Sequence, residues 1–215
     1  MASTRDRIIV ATNELFRRHG YHGTSLSQIS VASGATIGSI YHFFPGGKEA
    51  LAVTVIDTTG AIYRELFESI AADAPDPAGA FGAFFVGAAA VLEETDFIDL
   101  CPIGTIAREV ANTSEPLRLA AQNAFNSWIT AVSAYLTAAG VPPEPAEELA
   151  VLFVSTIEGT FVLSRTQRNT APLAAAGRYL ARFVDDAVTD VVRSSPQRTI
   201  ASGQAPNRHR SGRAH

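Results

Sequence analysis

Residues 33–51, with the sequence SGATIGSIYHFFPGGKEAL, bring several hydrogen-bonding side chains together in a very short segment. These side chains belong to Thr36, Ser39, Tyr41, His42 and Lys48. Hydroxyl, phenol, imidazole and ammonium groups can bond to the polar edges and phosphate oxygens of another molecule. A helix as short as 36–44 is not stable alone in water, so other helices must hold it. The segment therefore either packs into the protein core or is a small recognition element that neighbouring helices present to a partner.

Catalytic chemistry is not indicated elsewhere in the sequence. The five histidines stand at positions 19, 22, 42, 209 and 215, so residues 49–190 contain no histidine base. The sequence has no metal-ligand spacing, no glycine-rich phosphate loop and no G-x-S-x-G nucleophile elbow. The single cysteine, Cys101, precedes Pro102 and is predicted to be a buried thiol. The sequence thus favours a protein that is not an enzyme and that needs no cofactor.

Helix-capping residues define the elements that must position the recognition segment. Apolar residues at helical spacing predict a first helix near the N-terminus. Ser25 and Gln28 have capping-box spacing, which predicts that a second helix starts near Leu26. Thr36 is an N-cap candidate for a third helix that runs to about Phe43. A helix, a break containing glycine and a short helix are the elements of a helix-turn-helix.

The remainder of the sequence predicts further helices and hardly any strand. Apolar spacing and breaks at proline and glycine predict a long helix over 48–72, then helices over 78–94, from Pro102, and over 116–139, 146–168 and 173–192. The predicted fold class is therefore all-α, with about nine helices. We divide the chain into a helix-turn-helix head (1–47), a helical body (48–193) and a disordered basic tail (194–215) without an apolar face.

Charge is distributed very unevenly along the chain. The formal net charge is −4, but the first 48 residues carry five basic and two acidic side chains, together with three histidines. Residues 49–190 carry seven basic and nineteen acidic side chains, and residues 191–215 carry five arginines and no acid. A basic head on an acidic body indicates an anionic partner that contacts one end of the molecule.

The N-terminus lacks the uninterrupted apolar core of a signal peptide, and the longest mostly apolar stretch, 78–92, is too short to span a bilayer. With a single cysteine, no disulfide framework can form within the chain. We therefore expect a cytoplasmic protein that does not bind membranes.

Together, the basic head and the helix-turn-helix indicate double-stranded DNA as the partner. The exposed face of the short helix would present small hydroxyls, a glycine and flat hydrogen-bonding side chains, which suit a major groove. Lys48 stands at the start of the next helix, where its charge and the free backbone amides can bind a phosphate. A helical hairpin with a short third helix is also common in all-α proteins, so a packing role remains the alternative.

These residues also resemble a known family. The stretches LFRRHGYHGTSLSQIS and SGATIGSIYHFFPGGKEAL closely resemble the DNA-binding head of TetR-family transcriptional regulators over residues 5–51. The matching positions are Phe16, Gly20, Tyr21, Thr24, Ile29, Gly34, Gly38, Tyr41, Phe44 and Lys48. The segments CPIGTIARE, FPGGKEAL and IEGTFVLSR resemble the subgroup typified by repressors of multidrug-export operons.

The resemblance implies which residues contact DNA. They are Thr24, Ser25, Thr36, Ser39, Tyr41, His42 and Lys48, with Ile37 and Gly38 on the same face of the short helix. The family often has Lys or Arg where this chain has Ile37, so one charged contact is missing from the reading helix. Ile37 could instead contact a thymine methyl group. Phe43 also replaces a more usual polar aromatic residue.

The resemblance further implies an apolar ligand cavity in the body. Its predicted residues are Phe84, Phe97, Arg108, Phe125, Trp128, Phe153 and Glu158, with Glu109, Gln122 and Asn126 as further polar candidates. Glu158 lies in the apolar run FVSTIEGTFVL, where an unpaired carboxylate would be costly. It could bind a ligand amine or hydroxyl, pair with an arginine such as Arg108, or lie on an exposed helix face. For each aromatic residue, ordinary core packing is the alternative.

The last two helices carry apolar or small residues on more than one side, so each is either fully buried or part of an interface. The resemblance implies a four-helix interface in a twofold homodimer. The predicted residues are Thr156, Gly159, Leu180, Phe183, Val184, Ala187 and Val191. The expected protein is a dimeric, ligand-responsive repressor that binds a palindromic operator and is released by a small apolar or aromatic effector. An activator of the same fold, or an all-α ligand-binding or interaction protein, is the alternative. The five arginines of the tail could add nonspecific DNA affinity or have no role.

Overall fold

The structure is a computed structural model that describes residues 2–98 and 101–194, with side chains described as far as residue 190. Over these ranges the chain forms nine α-helices and no strand, which confirms the predicted class. The helices are α1 (Thr4–His19), α2 (Leu26–Ser33), α3 (Ile37–Phe43), α4 (Gly47–Asp73), α5 (Pro77–Glu94), α6 (Pro102–Val110), α7 (Glu115–Ala138), α8 (Pro143–Gln167) and α9 (Ala171–Ser194). The predicted basic tail from 195 onward lies outside the described residues.

The first three helices form the head in the way that their capping residues predict. Ser25 caps α2 through a capping box, because its hydroxyl accepts from the Gln28 amide and the Gln28 side chain accepts from the Ser25 amide. Thr36 caps α3 and accepts from the Ser39 amide at 3.0 Å. Both N-caps are thereby confirmed. The head closes around buried apolar side chains from all three helices, namely Ile8, Phe16, Ile29 and Ile40.

The body surrounds a single core rich in aromatic side chains. Helix α5 packs mainly against α9, and α7 packs between α4 and α8. The ring of Phe153 on α8 lies 4.8 Å from that of Phe81 and 5.1 Å from that of Phe84, between ring centroids. These tilted and edge-on contacts add to the burial of apolar area. These ring contacts of Phe153 with Phe81 and Phe84 hold α5 against α8.

Helix α5 also has the length and composition of a candidate membrane span. Its mean hydropathy is 1.2 over 18 residues, of which 22% are buried inside the structure. Its buried side chains include Phe81, Phe85 and Leu92, which belong to the common core. This core packing gives the apolar composition of α5 a structural role within the body.

Helix α6 is short and lies where the head meets the body. It begins after Cys101, whose sulfur accepts from the Gly104 amide at 3.5 Å, with Pro102 in the first turn. It packs on α7 of the body and on α1 of the head. One face of α6, including Ile103 and Ile106, is completely buried. The position of α6 relative to the head is therefore defined by packing on both sides.

Candidate functional site

Helix α3 presents the predicted recognition face to solvent. Ile37 and Tyr41 are 43% and 49% exposed, and Thr36, Gly38 and His42 are also exposed. Ile40, on the opposite side of the helix, is completely buried and anchors α3 to the head. The exposed face therefore combines hydroxyl, phenol and imidazole groups with an apolar branched side chain, and such groups can bond to base edges or contact a thymine methyl group.

Several predicted DNA contacts also have structural roles within the head. The hydroxyl of Thr36 interacts with that of Ser39 at 2.9 Å, and Ser39 is half-buried. Ser25 is exposed at the start of α2, although its hydroxyl also forms part of the capping box. Thr24 is 1% exposed, and its hydroxyl donates to the Gly20 carbonyl at 2.8 Å. The structure thus places the Thr24 side chain inside the head and not on its surface.

The ammonium of Lys48 is bonded to the turn between α1 and α2. Its Nζ donates to the carbonyls of Tyr21 at 3.0 Å and Thr24 at 2.9 Å, and it lies 4.2 Å from the centroid of the Tyr21 ring. Burial lowers the pKa of Lys48, and the charge of Glu109 opposes that effect. Two of the three N–H groups are therefore engaged inside the head, which leaves one for a phosphate.

Glu109, at the end of α6, contacts the same turn from the other side. Its carboxylate accepts from the backbone amides of Tyr21 at 3.2 Å and His22 at 2.8 Å. Gly20 makes room for this carboxylate, because a Cβ at position 20 would lie 3.0 Å from Glu109 Cδ. Its backbone φ of +73° also favours glycine at this position. The sequence marked Glu109 only as a polar candidate near the cavity, because its partners are 87 and 88 positions away.

The body contains a largely apolar cavity of about 240 Å³. Helices α4, α5, α7 and α8 supply most of its wall, and α1 and the start of α6 contribute at one side. The lining residues are Arg17, Tyr63, Arg64, Leu66, Phe67, Ile70, Phe84, Gly87, Ala88, Val91, Leu92, Cys101, Trp128, Ala131, Val132, Phe153, Val154, Ile157, Glu158 and Phe161. Because Leu66 and Val91 are about half exposed, the cavity reaches the surface between α4 and α5.

The cavity contains four of the seven residues predicted for it, namely Phe84, Trp128, Phe153 and Glu158. Phe97 and Phe125 pack against the core outside the lining, and Phe125 contacts Trp128 edge-on at 5.4 Å between ring centroids. Arg108 is exposed and also lies outside the lining, although its charge acts on Glu158. Sequence reasoning missed Tyr63 and Phe67, whose helical spacing resembles that of ordinary core residues, and it predicted Cys101 only as a buried thiol.

One corner of the cavity is polar and is formed by Tyr63, Cys101 and Glu158. All three line the cavity, and the Glu158 carboxyl group also lies against Gly104 in the first turn of α6. Burial raises the pKa of Glu158, which the neighbouring Cys101 thiol and the charge of Arg108 partly offset. Burial also raises the pKa of Tyr63 to about 12, so this phenol is neutral at pH 7. We call these three residues the polar corner; it offers an occupant a carboxyl group, a thiol and a phenol.

The reactivity of Cys101 provides a test of the polar corner. Cys101 is the single cysteine of the chain and is buried, and burial and the neighbouring Glu158 raise its thiol pKa well above the usual value. Because the thiolate is the reactive form, we expect Ellman's reagent to modify the native protein at least about tenfold more slowly than the urea-unfolded chain. Absorbance at 412 nm measures both rates at one pH. Equal rates in the two states would contradict the buried thiol.

Titration of Glu158 should make the free energy of unfolding depend on pH. Its pKa is raised in the folded state, so the protonated form is stabilised and this contribution is lost as pH rises from about 4.5 through the folded pKa. The variant Glu158→Gln does not titrate there. We therefore expect the free energy of unfolding of the variant minus that of the wild type to increase between about pH 4.5 and pH 8 in urea denaturation. A difference that stays constant with pH would contradict the shift.

Helices α8 and α9 leave a large apolar surface exposed. The exposed side chains include those of Val151, Leu152, Val162, Leu163, Tyr179 and Phe183. Of the residues predicted for an interface, Phe183 is 49% exposed, Gly159 is exposed and Thr156 and Ala187 are half-buried. Leu180 and Val184 lie in the core of the chain itself, so they contribute packing and not exposed surface. The side chain of Val191 is outside the described part of the chain.

Two parts of the chain match family descriptions. Residues 8–55 match "Bacterial regulatory proteins, tetR family", and residues 77–179 match "Transcriptional regulator LmrA/YxaF-like, C-terminal domain". The first of these ranges contains the recognition face of α3 and Lys48. The second contains Cys101, Glu109 and Glu158, so the polar corner, apart from Tyr63, and the Glu109 contact fall within the LmrA/YxaF-like part.

Relatives with similar sequences are transcriptional regulators by name. The chain is 38% identical to the HTH-type transcriptional regulator YxaF of Bacillus subtilis over 170 residues, which are 79% of this chain and 89% of YxaF. It is 35% identical to LmrA of the same species over 170 residues, 79% of this chain and 90% of LmrA.

The fold is also known from crystal structures. A TetR regulator from Legionella pneumophila superposes with a TM-score of 0.75 at 22% identity, over 85% of this chain and 97% of the other. The structural match and the two relatives agree with the order of a helix-turn-helix head followed by a helical body. The chain is therefore a TetR-family transcriptional regulator, and not an enzyme, with a body of the LmrA/YxaF type.

Proposed function

We propose that this regulator is a homodimeric repressor that leaves its operator when a small apolar or aromatic molecule enters the body. The observation that carries the proposal is the presence, in one chain, of an exposed hydrogen-bonding face on α3 and an aromatic cavity of about 240 Å³. In this proposal the head (1–47) binds DNA, and the body (48–193) binds the effector and forms the dimer. Such a protein would act in the cytoplasm, where its DNA is.

The exposed apolar face of α8 and α9 supports a dimer. Leu163 and Phe183 are each about half exposed, and a Cβ at Gly159 would meet no atom within 4 Å, so a neighbouring helix can approach closely. Exposed apolar area of this kind is stabilised when a second copy covers it. A twofold dimer would place two α3 helices at half-sites roughly 34–36 Å apart, or further, on one face of the DNA.

The cavity supports release by an effector. Tyr63 and Phe67 of α4 line it, and the first turn of the same helix carries Lys48, which is bonded to the head. An occupant that displaces these α4 side chains would shift the head through Lys48. An effector that prefers the non-binding arrangement by a few kcal/mol is sufficient to release the DNA.

Fluorescence anisotropy tests the proposal. The protein is titrated onto labelled DNA from immediately upstream of its own gene, at two salt concentrations, with a shuffled sequence as the control. We expect tight, sequence-selective binding that weakens with salt and requires two protomers or more per site. Equal, weak binding of both DNAs would contradict operator recognition at that site.

Effector release is tested with N-phenyl-1-naphthylamine, a neutral aromatic probe with one N–H donor. Its fluorescence rises in apolar surroundings, so direct binding to the free protein is measured first. We expect the probe to lower the anisotropy of the DNA complex at concentrations that occupy the cavity. Binding of the probe without any change in DNA affinity would contradict the effector mechanism.

A further inference from the structure

We propose that Glu109 is a positioning residue through which helix α6 carries the state of the cavity to the DNA-binding head. This inference rests on the proposed effector mechanism and adds a direct route from α6 to the turn between α1 and α2. The two ends of this nine-residue helix contact the two candidate sites. Its first end lies beside the polar corner, and its last turn holds the turn of the head.

At the head, Glu109 and Lys48 hold opposite sides of one peptide segment. The amides of Tyr21 and His22 donate to the Glu109 carboxylate, while the carbonyl of Tyr21 accepts from Lys48. Hydrogen bonds to charged groups are stronger than those between neutral groups, so both contacts restrict the turn. This turn leads directly into α2, on which α3 packs. The orientation of the recognition helix therefore depends on where Glu109 lies.

At the cavity, the start of α6 is held by Glu158. Cys101, the N-cap of α6, lines the cavity together with Glu158, and a Cβ at Gly104 would lie 2.8 Å from Glu158 Cδ. The carboxyl group thus rests directly on the first turn of α6. An occupant that bonds to Glu158 draws the carboxyl group away from this turn. Loss of the contact with Gly104 frees the first turn of α6 from α8.

The helix between these contacts is short. Cys101 and Glu109 are eight residues apart, which corresponds to about 12 Å along a helix. A helix of this length moves as one unit, because its backbone hydrogen bonds restrict internal bending. Displacement at the polar corner therefore reaches the carboxylate of Glu109, whose two bonds to the head must follow the movement or break.

The test compares Glu109→Ala and the milder Glu109→Gln with the wild type. Glu65→Ala is the matched control, because Glu65 is an exposed residue of α4, whereas Glu109 is half-buried against the head. Each protein is examined for its affinity for operator DNA with and without N-phenyl-1-naphthylamine. Direct probe binding is measured without DNA, and exchange of the Tyr21 and His22 amides is followed by NMR. Thermal unfolding shows whether each variant is folded. If Glu109→Ala does not fold, the same measurements are made on Glu109→Gln.

We expect the probe to weaken DNA binding of the wild type and of Glu65→Ala by a factor of about ten or more. For Glu109→Ala this factor should fall to within about twofold of unity, while direct probe affinity changes less than about twofold. Exchange at Tyr21 and His22 should be faster in Glu109→Ala, and the probe should accelerate it in the wild type. If Glu109 only stabilised the fold, Glu109→Ala would not lose the effect of the probe on DNA affinity while it still binds the probe normally.

Two results would overturn the inference. The first is release of DNA from Glu109→Ala by the same factor as from the wild type. The second is exchange at Tyr21 and His22 that neither the substitution nor the probe changes. If the wild type binds no DNA selectively, the proposed function fails, yet the exchange measurements still decide whether cavity occupancy reaches the turn through Glu109.

Discussion

Replacement of Tyr41 with alanine is expected to weaken operator binding by about a hundredfold. The Tyr41 side chain is 49% exposed on α3, where its phenol can bond to a base edge or a phosphate. Loss of such a contact costs about 1–3 kcal/mol, and a dimer loses two of them. At about 1.4 kcal/mol for each head, the dissociation constant rises about a hundredfold. Anisotropy titration of the variant and the wild type on the same DNA measures the change.

The stability of the Tyr41 variants provides the control. Because the side chain is about half exposed, Tyr41→Ala should change the free energy of unfolding by no more than about 1 kcal/mol. Tyr41→Phe keeps the ring that lies against Gly47 and removes only the hydroxyl, so it separates hydrogen bonding from shape. Wild-type affinity of Tyr41→Ala at unchanged stability would place the phenol outside the DNA interface.

Replacement of Gly104 with alanine is expected to destabilise the fold by about 1–2 kcal/mol. The added methyl group would lie 2.8 Å from the Cδ atom of Glu158, inside the polar corner. The carboxyl group must then leave its place beside Cys101, or α6 must move away from α8. Overpacking of a buried contact costs about 1–3 kcal/mol, and the better helix propensity of alanine offsets about 0.5–1 kcal/mol of that cost. Urea denaturation at fixed protein concentration measures the change.

Gly82→Ala is the matched control for this substitution. Gly82 lies in α5, and a Cβ there would meet no atom within 4 Å. The same chemical change should therefore stabilise the protein by about 0.5–1 kcal/mol, because alanine is the better helix former. Opposite signs for the two variants would support the packing of Glu158 against α6. A stabilising effect of Gly104→Ala would contradict it.

The arrangement around the turn between α1 and α2 gives a single glycine two functions. Gly20 ends α1 with a positive φ, and its lack of a side chain admits Glu109 of the body. Helix termination is visible in the sequence, since a glycine after a run with helical apolar spacing is a common stop. Its second function depends on a residue far along the chain. A side chain at this position would strain the backbone and displace the carboxylate.

Local sequence determined much of the fold and of the recognition face. The N-caps at Ser25 and Thr36, the proline and glycine breaks and the apolar spacing depend on neighbours within about four residues. For the same reason the sequence predicted that Ile37 and Tyr41 lie on the exposed face of the short helix. The family match in the head depends on short sequence motifs, and these motifs form α1, α2 and α3 in the structure.

Tertiary structure decided which side chains meet across the chain. Packing buries the Thr24 hydroxyl, directs the ammonium of Lys48 to two carbonyls and places Leu180 in the core. The contact between Glu109 and the head likewise joins helices that are far apart in sequence. Helical periodicity shows that a side chain faces inward or outward, but the helix it meets is set by long-range packing. The sequence by itself therefore determined the elements and the recognition face, and only the assembled helices determined the cavity, its polar corner and the link to the head.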